Sequence, residues 1–437
     1  MKLLLHLLAL LLVTTAARSQ SLYYPPLTGT AWDSTSVDSL GWCRPQLDTL
    51  LDYVGSKNSK AFILLKDGKI VAERYYGTFT RDSAWYWASA GKTITAFVTG
   101  LAQQEGHLSL SDTTAQYLGT GWTVCPTAKE NLITIRHQLT MTTGLNDSVP
   151  DHFCTLDTCL QYKADAGTRW AYHNGPYTLL DSVIESATGT TLNAYFNTRV
   201  KSLTGITGIF LPSGFNNVYY STARSMARFG LLMLGRGKWN TTTIMTDTAY
   251  FSQMVNTSQT LNSSYGYLWW LNGKSSFMVP GLQLVFPGPL NPSAPPDMIA
   301  ALGKNGQLIN ISESKKLVWI RMGDAPGVGE VPILFNDTIW QHLNKVMCDP
   351  VAVQPTTITQ PGIEVYPLPA TSQFNIRMAL AGFSYLLTDW LGREVAHGQS
   401  QASQIMVNVA DLASGCYILT VRATDGAVTK TKVLVGR

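Results

Sequence analysis

The chain has 437 residues, 45% hydrophobic and 14% charged, a composition that favours a large buried core and argues against disorder over most of its length. At roughly 100–200 residues per domain, this length predicts two or three domains. The net charge of +4 is too small and too scattered for a nucleic-acid-binding protein, and the sequence has no run of Lys and Arg interleaved with aromatic residues.

The N-terminus has the features of a secretory signal peptide, which we predict to be residues 1–19. Lys2 supplies the positive charge, Leu3–Val13 form an apolar stretch of h-region length, and Ala17 and Ser19 place small residues before the cleavage point. A membrane anchor is the weaker alternative, because a bilayer-spanning helix needs about 20 apolar residues. We therefore predict a secreted protein with no stable transmembrane span.

Residues 20–349 have the pattern of one mixed domain of the α+β class. Two predicted strands, Ala61–Lys66 and Lys69–Tyr76, are joined by Asp67-Gly68, a strong hairpin signal. The remaining predicted strands are Tyr265–Leu271, Met298–Leu302, Gly306–Ile311 and Leu317–Met322. The predicted helices are Cys43–Val54, Ser89–Glu105, Thr134–Met141, Pro176–Ala187, Thr191–Lys201, Ser221–Leu234 and a last one ending near Met347. Strands flank both ends, so we expect one sheet that takes strands from both.

A Pro/Thr-rich linker is predicted at residues 350–361, and a second domain at residues 362–437. Short alternating strands separated by turn residues predict a small β-sandwich there. The predicted strands are Glu364–Tyr366, Gln373–Met378, Ser384–Thr388, Ile405–Val409, Tyr417–Ala423 and Val428–Val435.

Six cysteines are compatible with disulfides in an exported protein. Cys154 and Cys159 could close a short loop, and Cys43 and Cys348 could join two terminal helices, although spacing alone does not determine the pairing. No pair of Cys or His residues has the spacing of zinc ligands, so no metal site is predicted.

The first motif that carries chemistry is S-x-x-K at Ser89–Lys92. If Ser89 begins a helix, Lys92 lies one turn later on the same face, and the helix N-terminus offers N–H groups to a developing oxyanion. A serine hydroxyl needs an adjacent base. A lysine serves as that base only when it is neutral, which requires its pKa to fall. We predict Ser89 as the nucleophile and Lys92 as its base.

A second S-x-x-K, Ser312–Lys315, lies in a polar turn between two predicted strands. No helix orients its residues there, so we assign it a structural role. The Ser89 copy instead precedes an apolar helical pattern that includes Ile94, Phe97 and Leu101.

The second motif is Tyr172-His173-Asn174, in a predicted loop. A tyrosine beside a Ser–Lys pair can pass the proton from Ser89 to a leaving group. The Asn174 amide can bind both a substrate carbonyl and Lys92. Taken alone, an aromatic loop packed on the core is the better interpretation of this motif. His173, between the two, is expected to point away from them.

The third motif is Lys304-Asn305-Gly306-Gln307, after the apolar run Met298–Leu302. A Lys-x-Gly at a strand edge lets a substrate approach the backbone closely. The backbone N–H of Gln307 is then predicted to be the second oxyanion donor beside that of Ser89. Alone, a hairpin turn with a solvated lysine is the better interpretation.

Together the three motifs resemble the penicillin-binding protein and class C β-lactamase family in order and separation. Further similar stretches are residues 89–97, 105–112, 133–145, 223–230 and 265–270. The resemblance extends over roughly residues 40–347 and is nearest the esterase and amidase branch, which includes nylon-oligomer hydrolases. It implies a β-lactamase/transpeptidase-like antiparallel sheet flanked by helices, a helical subdomain, and a serine acyl-enzyme mechanism without metal or cofactor.

The third motif departs from this family. Asn305 occupies the position of the usual Thr or Ser, and Gln307 that of a small residue. The family hydroxyl helps to bind the carboxylate of β-lactams and peptidoglycan-type substrates, so its loss argues against both. We expect a small ester or amide as substrate, with β-lactams and D-amino-acid peptides as further candidates.

The tail is similar to the C-terminal sorting domain of the type IX secretion system. The similar pieces are residues 365–371, 387–393, 412–419 and 430–435, with Leu368 in place of the usual Asn. The resemblance implies the type IX machinery as a partner and export to the cell surface or medium. An ordinary β-sandwich binding module is the alternative.

Two other functions compete with a secreted hydrolase. One is a non-catalytic cell-surface binding protein that retains a penicillin-binding-like pocket; the presence of all three motifs argues against it. The other is an adhesive or structural protein whose function lies in the tail.

Overall fold

The computed structural model describes residues 22–327, 332–347, 358–360, 363–379, 381–389 and 392–436. The chain divides into two compact units, residues 1–348 and residues 349–437. The predicted signal peptide, residues 1–19, lies outside the described residues.

The first unit is built from α-helices and antiparallel strands. Its helices are α1 (Arg44–Ser56), α2 (Lys92–Gln104), α3 (Ala115–Leu118), α4 (Thr127–Glu130), α5 (Ile135–Leu139), α6 (Asn174–Thr188), α7 (Leu192–Phe196), α8 (Ser202–Thr204), α9 (Ala223–Leu234), α10 (Thr248–Met254) and α11 (Ile333–Val346). Its strands are β1 (Ser59–Lys66), β2 (Lys69–Tyr75), β3 (Ala84–Tyr86), β4 (Ile209–Ser213), β5 (Asn216–Thr222), β6 (Lys238–Trp239), β7 (Thr242–Thr243), β8 (Trp270–Leu271), β9 (Ser276–Phe277), β10 (Phe286–Pro287), β11 (Ile299–Gly303), β12 (Gln307–Ser312) and β13 (Leu317–Gly323).

The main sheet has the strand order β2-β1-β13-β12-β11-β8 and is antiparallel throughout. It combines strands from both ends of the unit, which confirms the predicted α+β class. Asp67 and Gly68 both have positive φ, 52° and 84°, as a two-residue hairpin turn requires. Helices α1 and α11 pack against each other, and α9 packs across β1, β12 and β13.

Two features of the first unit differ from the prediction. The run Tyr265–Leu271 is not one strand: only Trp270–Leu271 is extended, because Leu268 has a φ of 60° and the chain turns there. A small sheet with the order β3-β5-β4 was not predicted. It places β3 directly before the S-x-x-K segment.

The second unit contains two four-stranded antiparallel sheets. Its strands are β14 (Ile358–Gln360), β15 (Ile363–Tyr366), β16 (Gln373–Met378), β17 (Phe383–Thr388), β18 (Glu394–Ser400), β19 (Gln404–Asn408), β20 (Gly415–Ala423) and β21 (Val428–Val435). The sheets have the orders β14-β15-β16-β19 and β18-β17-β20-β21. Phe374 and Val407 of one sheet share a hydrophobic core with Leu387, Leu419 and Val433 of the other, so the predicted all-β fold is confirmed.

The predicted linker at residues 350–361 needs a correction. Residues 358–360 form β14, which pairs with β15, so this part of the segment is strand; residues 350–357 lie outside the described residues. Strand β18 was also missed, because it lies at a sheet edge and its sequence is too polar to show alternation.

The predicted disulfide between Cys154 and Cys159 is present. Cys43 is also disulfide-bonded, and its N–H donates to the Val346 carbonyl at 2.8 Å, where α1 begins and α11 ends. Cys348, its predicted partner, lies outside the described residues. Among the helices that the structure describes, none combines the length and apolarity needed to cross a bilayer.

Candidate active site

Ser89 and Lys92 are brought together by a single turn of chain. Ser89 lies in the 3₁₀ turn Ala88–Gly91, which runs directly into α2. Lys92 Nζ donates a hydrogen bond to Ser89 Oγ at 2.9 Å. Ala88 has a φ of 46°, a conformation that is uncommon for a non-glycine residue. The apolar residues of α2 fix this turn, because they are fully buried in the core.

Lys92 is almost fully buried, with 4% of its surface exposed. Burial lowers its pKa to about 7, although the charge of Asp181 acts in the opposite direction. Its ammonium lies over two aromatic rings, 4.3 Å from the centroid of Tyr177 and 5.3 Å from that of Tyr172. Near neutral pH, a large fraction of Lys92 is therefore a free amine next to a hydroxyl.

Tyr172 adjoins the Ser–Lys pair: the centroid of its ring lies 5.3 Å from Lys92 Nζ, and the Ser89 side chain is near enough to affect the pKa of its phenol. Burial raises the pKa of Tyr172 well above 10, so the phenol stays protonated at neutral pH and can donate a proton. The ring stacks on Trp270 with a centroid distance of 6.0 Å and an interplanar angle of 17°. The structure thus brings together the three residues predicted to be catalytic.

Asn174 is the first residue of α6, and its side chain is buried. Its buried Oδ1 makes no hydrogen bond to any described residue, so the predicted contact between the Asn174 amide oxygen and Lys92 is not present. The neighbouring His173 is also buried, and burial lowers its pKa to about 4. His173 is therefore neutral at pH 7.

The third motif forms the turn between β11 and β12. Lys304–Gly306 is a short 3₁₀ turn in which Asn305 and Gly306 have positive φ, 61° and 75°. The Asn305 amide donates to the Tyr86 hydroxyl at 2.8 Å. The Arg321 guanidinium holds the turn by donating to the carbonyls of Asn305 and Gly306.

Gln307 does not lie at the edge where its predicted role would place it. It is the first residue of β12, which is flanked on both sides by β11 and β13. Its buried side chain donates to the Gly323 carbonyl at 2.6 Å and accepts from the Gly323 N–H at 3.1 Å. An interior strand directs its N–H groups at its neighbours, which argues against Gln307 as an oxyanion donor.

Gly303 is the glycine that approaches the nucleophile. A Cβ on Gly303 would lie 2.6 Å from the Trp87 carbonyl oxygen and 3.0 Å from the Ala90 nitrogen, so only glycine allows this contact. Sequence analysis missed Gly303, although Gly303 directly follows the apolar run Met298–Leu302 and directly precedes the third motif. Its signal was a glycine at the end of a buried strand.

Nothing in the described part of the chain resembles a metal centre. No three His, Cys, Asp or Glu side chains within it are grouped so that they could hold an ion. The chemistry available at the site is that of a hydroxyl, an amine, a phenol and main-chain N–H groups.

Comparisons with solved structures agree with this fold. A Bacteroides dorei protein provisionally assigned as a β-lactamase has a TM-score of 0.56 at 17% identity, covering 70% of this chain and 100% of that one. A Bacillus anthracis protein provisionally assigned as a 6-aminohexanoate-dimer hydrolase has a TM-score of 0.53 at 18% identity, with coverages of 74% and 90%. The octameric penicillin-binding protein homologue of Pyrococcus abyssi has a TM-score of 0.52 at 13% identity, with coverages of 90% and 96%.

Among curated proteins, no sequence matches the chain. The model of the secretion system C-terminal sorting domain matches residues 364–435, which indicates type IX secretion to the cell surface or extracellular space. The Beta-lactamase family model matches residues 58–318, more than half of the sequence. The chain therefore belongs to the beta-lactamase family and carries a secretion system C-terminal sorting domain.

Proposed function

We propose that this protein is a secreted serine hydrolase that cleaves a small ester or amide through an acyl-enzyme on Ser89. The observation that carries the proposal is the 2.9 Å contact between Ser89 Oγ and Lys92 Nζ. It matters because burial lowers the pKa of Lys92 to about 7. A nucleophile with a neutral base at hydrogen-bond distance is the minimum that serine catalysis requires.

In the acylation step, Ser89 Oγ attacks the substrate carbonyl carbon while Lys92 Nζ accepts the hydroxyl proton. When the tetrahedral intermediate collapses, Tyr172 donates its proton to the leaving group and regains one from the Lys92 ammonium. Water then attacks the acyl-enzyme, with the same groups moving the protons in reverse. The products are a carboxylic acid and an alcohol or amine, and Ser89 and Lys92 return to their starting protonation states.

The oxyanion needs two main-chain donors. We assign the Ser89 N–H as one and, as the other, a main-chain N–H beside Gly303 at the end of β11, beyond the pairing of β11 with β8, in place of that of Gln307. The support is the close approach of Gly303 to Trp87 and Ala90. Lys304, Asn305 and Gly306 were predicted to bind substrate; we now propose that they shape the turn that ends β11. For Asn174 we retain a role in binding the substrate carbonyl, through its amide N–H groups.

The residues at the end of β11 favour a substrate without a recognised carboxylate. Leu302 precedes Gly303, and Asn305 precedes Gly306, so neither glycine is preceded by a hydroxyl residue. A small ester or linear amide fits this site better than a β-lactam or a D-amino-acid peptide. The similarity to a provisionally assigned 6-aminohexanoate-dimer hydrolase agrees with an amide.

Ser89→Ala is expected to abolish hydrolysis of a chromogenic ester and leave the thermal melt nearly unchanged, because the nucleophile is lost and only a hydroxyl is removed. Ser312→Ala is the matched control, since Ser312 begins the second S-x-x-K but bonds Asp297 at 2.9 Å. It should keep its activity. Retained hydrolysis in Ser89→Ala would remove the nucleophile assignment.

A separate experiment tests whether the protein is a catalyst at all. If the folded protein forms no covalent adduct with a fluorophosphonate or a fluorescent penicillin, the result would favour a non-catalytic binding protein.

Tyr172→Phe is expected to lower kcat by roughly 10²–10⁴-fold, the usual contribution of a general acid, with a much smaller effect on KM. Tyr265→Phe provides the control, because Tyr265 is buried in the same aromatic cluster and its hydroxyl bonds no described residue. Steady-state kinetics with an ester that has a poor leaving group measure the difference. Equal losses in the two variants would assign Tyr172 to packing alone.

Lys92→Met is expected to change how stability depends on pH. A fall in the Lys92 pKa from 10.5 to about 7 on folding means that the unfolded chain binds more protons between these pH values. Through Lys92, the free energy of unfolding therefore rises with pH across this window, by on the order of 5 kcal/mol. Lys92→Met removes this slope, whereas Lys238→Met, at an exposed lysine, leaves it. Urea unfolding at pH 7 and pH 10 measures both, and an unchanged slope in Lys92→Met would mean that Lys92 is charged when folded.

A further inference from the structure

A buried carboxylate, Asp181, lies in the layer of side chains behind Lys92. Its Oδ1 accepts a hydrogen bond from the Thr95 hydroxyl at 3.3 Å, and its Oδ2 accepts one from the Asn217 amide at 3.0 Å. Asp181 is 7% exposed and Thr95 is fully buried. Both direct donors are uncharged, and a buried carboxylate with only neutral donors is unfavourable unless a cation compensates it.

The cation within reach is Lys92. Lys92 and Thr95 are three residues apart on one face of α2, and Tyr177 and Asp181 are four apart on one face of α6. These faces meet, because α2 packs against α6. The Tyr177 ring lies under the Lys92 ammonium at 4.3 Å, and its hydroxyl is 3.4 Å from that of Thr95. Tyr177 and Thr95 therefore connect the amine to the carboxylate.

We propose that Asp181 is a positioning residue for the catalytic base: its carboxylate, held by Thr95 and Asn217, controls how readily Lys92 gives up its proton and keeps its amine directed at Ser89. This inference rests on the proposed function and adds a residue that none of the three motifs contains.

Opposing effects act on each member of the pair. Burial lowers the pKa of Lys92, and the charge of Asp181 raises it. Burial raises the pKa of Asp181 to about 7, Glu185 on the same helix adds to this increase, and Lys92 opposes it. The titratable and polar groups that face Asp181 are thus Lys92 and Thr95 from α2, Tyr177 and Glu185 from α6, and Asn217 from β5. Without the carboxylate, nothing in this set opposes the effect of burial on Lys92.

Removal of the Asp181 charge should change the pH at which Lys92 titrates. In Asp181→Asn, the pKa of Lys92 falls further, because burial is no longer opposed by a negative charge. The free amine then persists to lower pH. The acidic limb of the kcat/KM profile should move down by roughly half a pH unit, less than a permanent charge would give, because Asp181 is itself partly protonated near pH 7. The value of kcat at high pH should fall because the amine is less well oriented.

Two measurements test the proposal on the full chain. One is an NMR titration of protein labelled with ¹³Cε-lysine, in which the Lys92 signal is identified by its absence in Lys92→Met. The other is the pH profile of ester hydrolysis. Asp337→Asn is the matched control, since Asp337 is also buried but bonds Ser293. It should leave both the Lys92 midpoint and the acidic limb unchanged.

The proposal is overturned if the Lys92 midpoint is the same in Asp181→Asn and wild type, or if Asp337→Asn moves it equally. Should Asp181→Asn fail to fold, Asn217→Ala replaces it. Asn217 is only half-buried, and loss of its hydrogen bond makes the charged form of Asp181 less stable. The Lys92 midpoint should therefore move in the same direction by a smaller amount, and an unchanged midpoint overturns the proposal. The NMR titration needs no turnover. Retained hydrolysis in Ser89→Ala would therefore overturn the proposed function without deciding the role of Asp181.

Discussion

The contact between a buried amine and a serine hydroxyl is the interaction on which the rest of this site depends. An exposed lysine would be protonated at neutral pH and could not accept a proton from Ser89. Lys92 is instead enclosed by the core around α2 and by the rings of Tyr172 and Tyr177. The same burial keeps Tyr172 protonated, so one physical cause gives the base and the acid their opposite roles.

The fold provides this environment by packing two segments, β11 and α6, around the start of α2. The end of β11, beyond its pairing with β8, comes close because Gly303 has no side chain, and α6 supplies Tyr177 and Asp181. Isolating a cation in such a place is costly. Two aromatic rings and a carboxylate in the next layer offset part of that cost. As a result, the pKa of Lys92 falls only to about 7, and the amine is close to its titration midpoint at neutral pH.

Local signals in the sequence predicted much of this arrangement, and packing decided the rest. The hairpin at Asp67-Gly68 and the pair Ser89–Lys92 depend on residues close in sequence, so their patterns were sufficient. Gly303 and Gly306 follow the same apolar run, and only the packing against Trp87 and Ala90 shows that Gly303 is the one close to the nucleophile. Asp181 belongs to no recognisable motif. It is a polar residue next to the buried residues Leu180 and Val183, and its proposed role depends on the packing of α6 against α2, which the sequence does not show. The missed strand β18 and the turn at Leu268 likewise depend on their neighbours in space.

The most direct test of the central claim is to locate the covalent adduct that the protein forms with a fluorophosphonate. Peptide mass spectrometry after reaction at pH 8 and pH 5 is predicted to find one adduct, on the peptide that contains Ser89, formed faster at pH 8. This difference is expected because only the uncharged form of Lys92 can activate the hydroxyl. An adduct on another residue, or equal rates at the two pH values, would contradict the account.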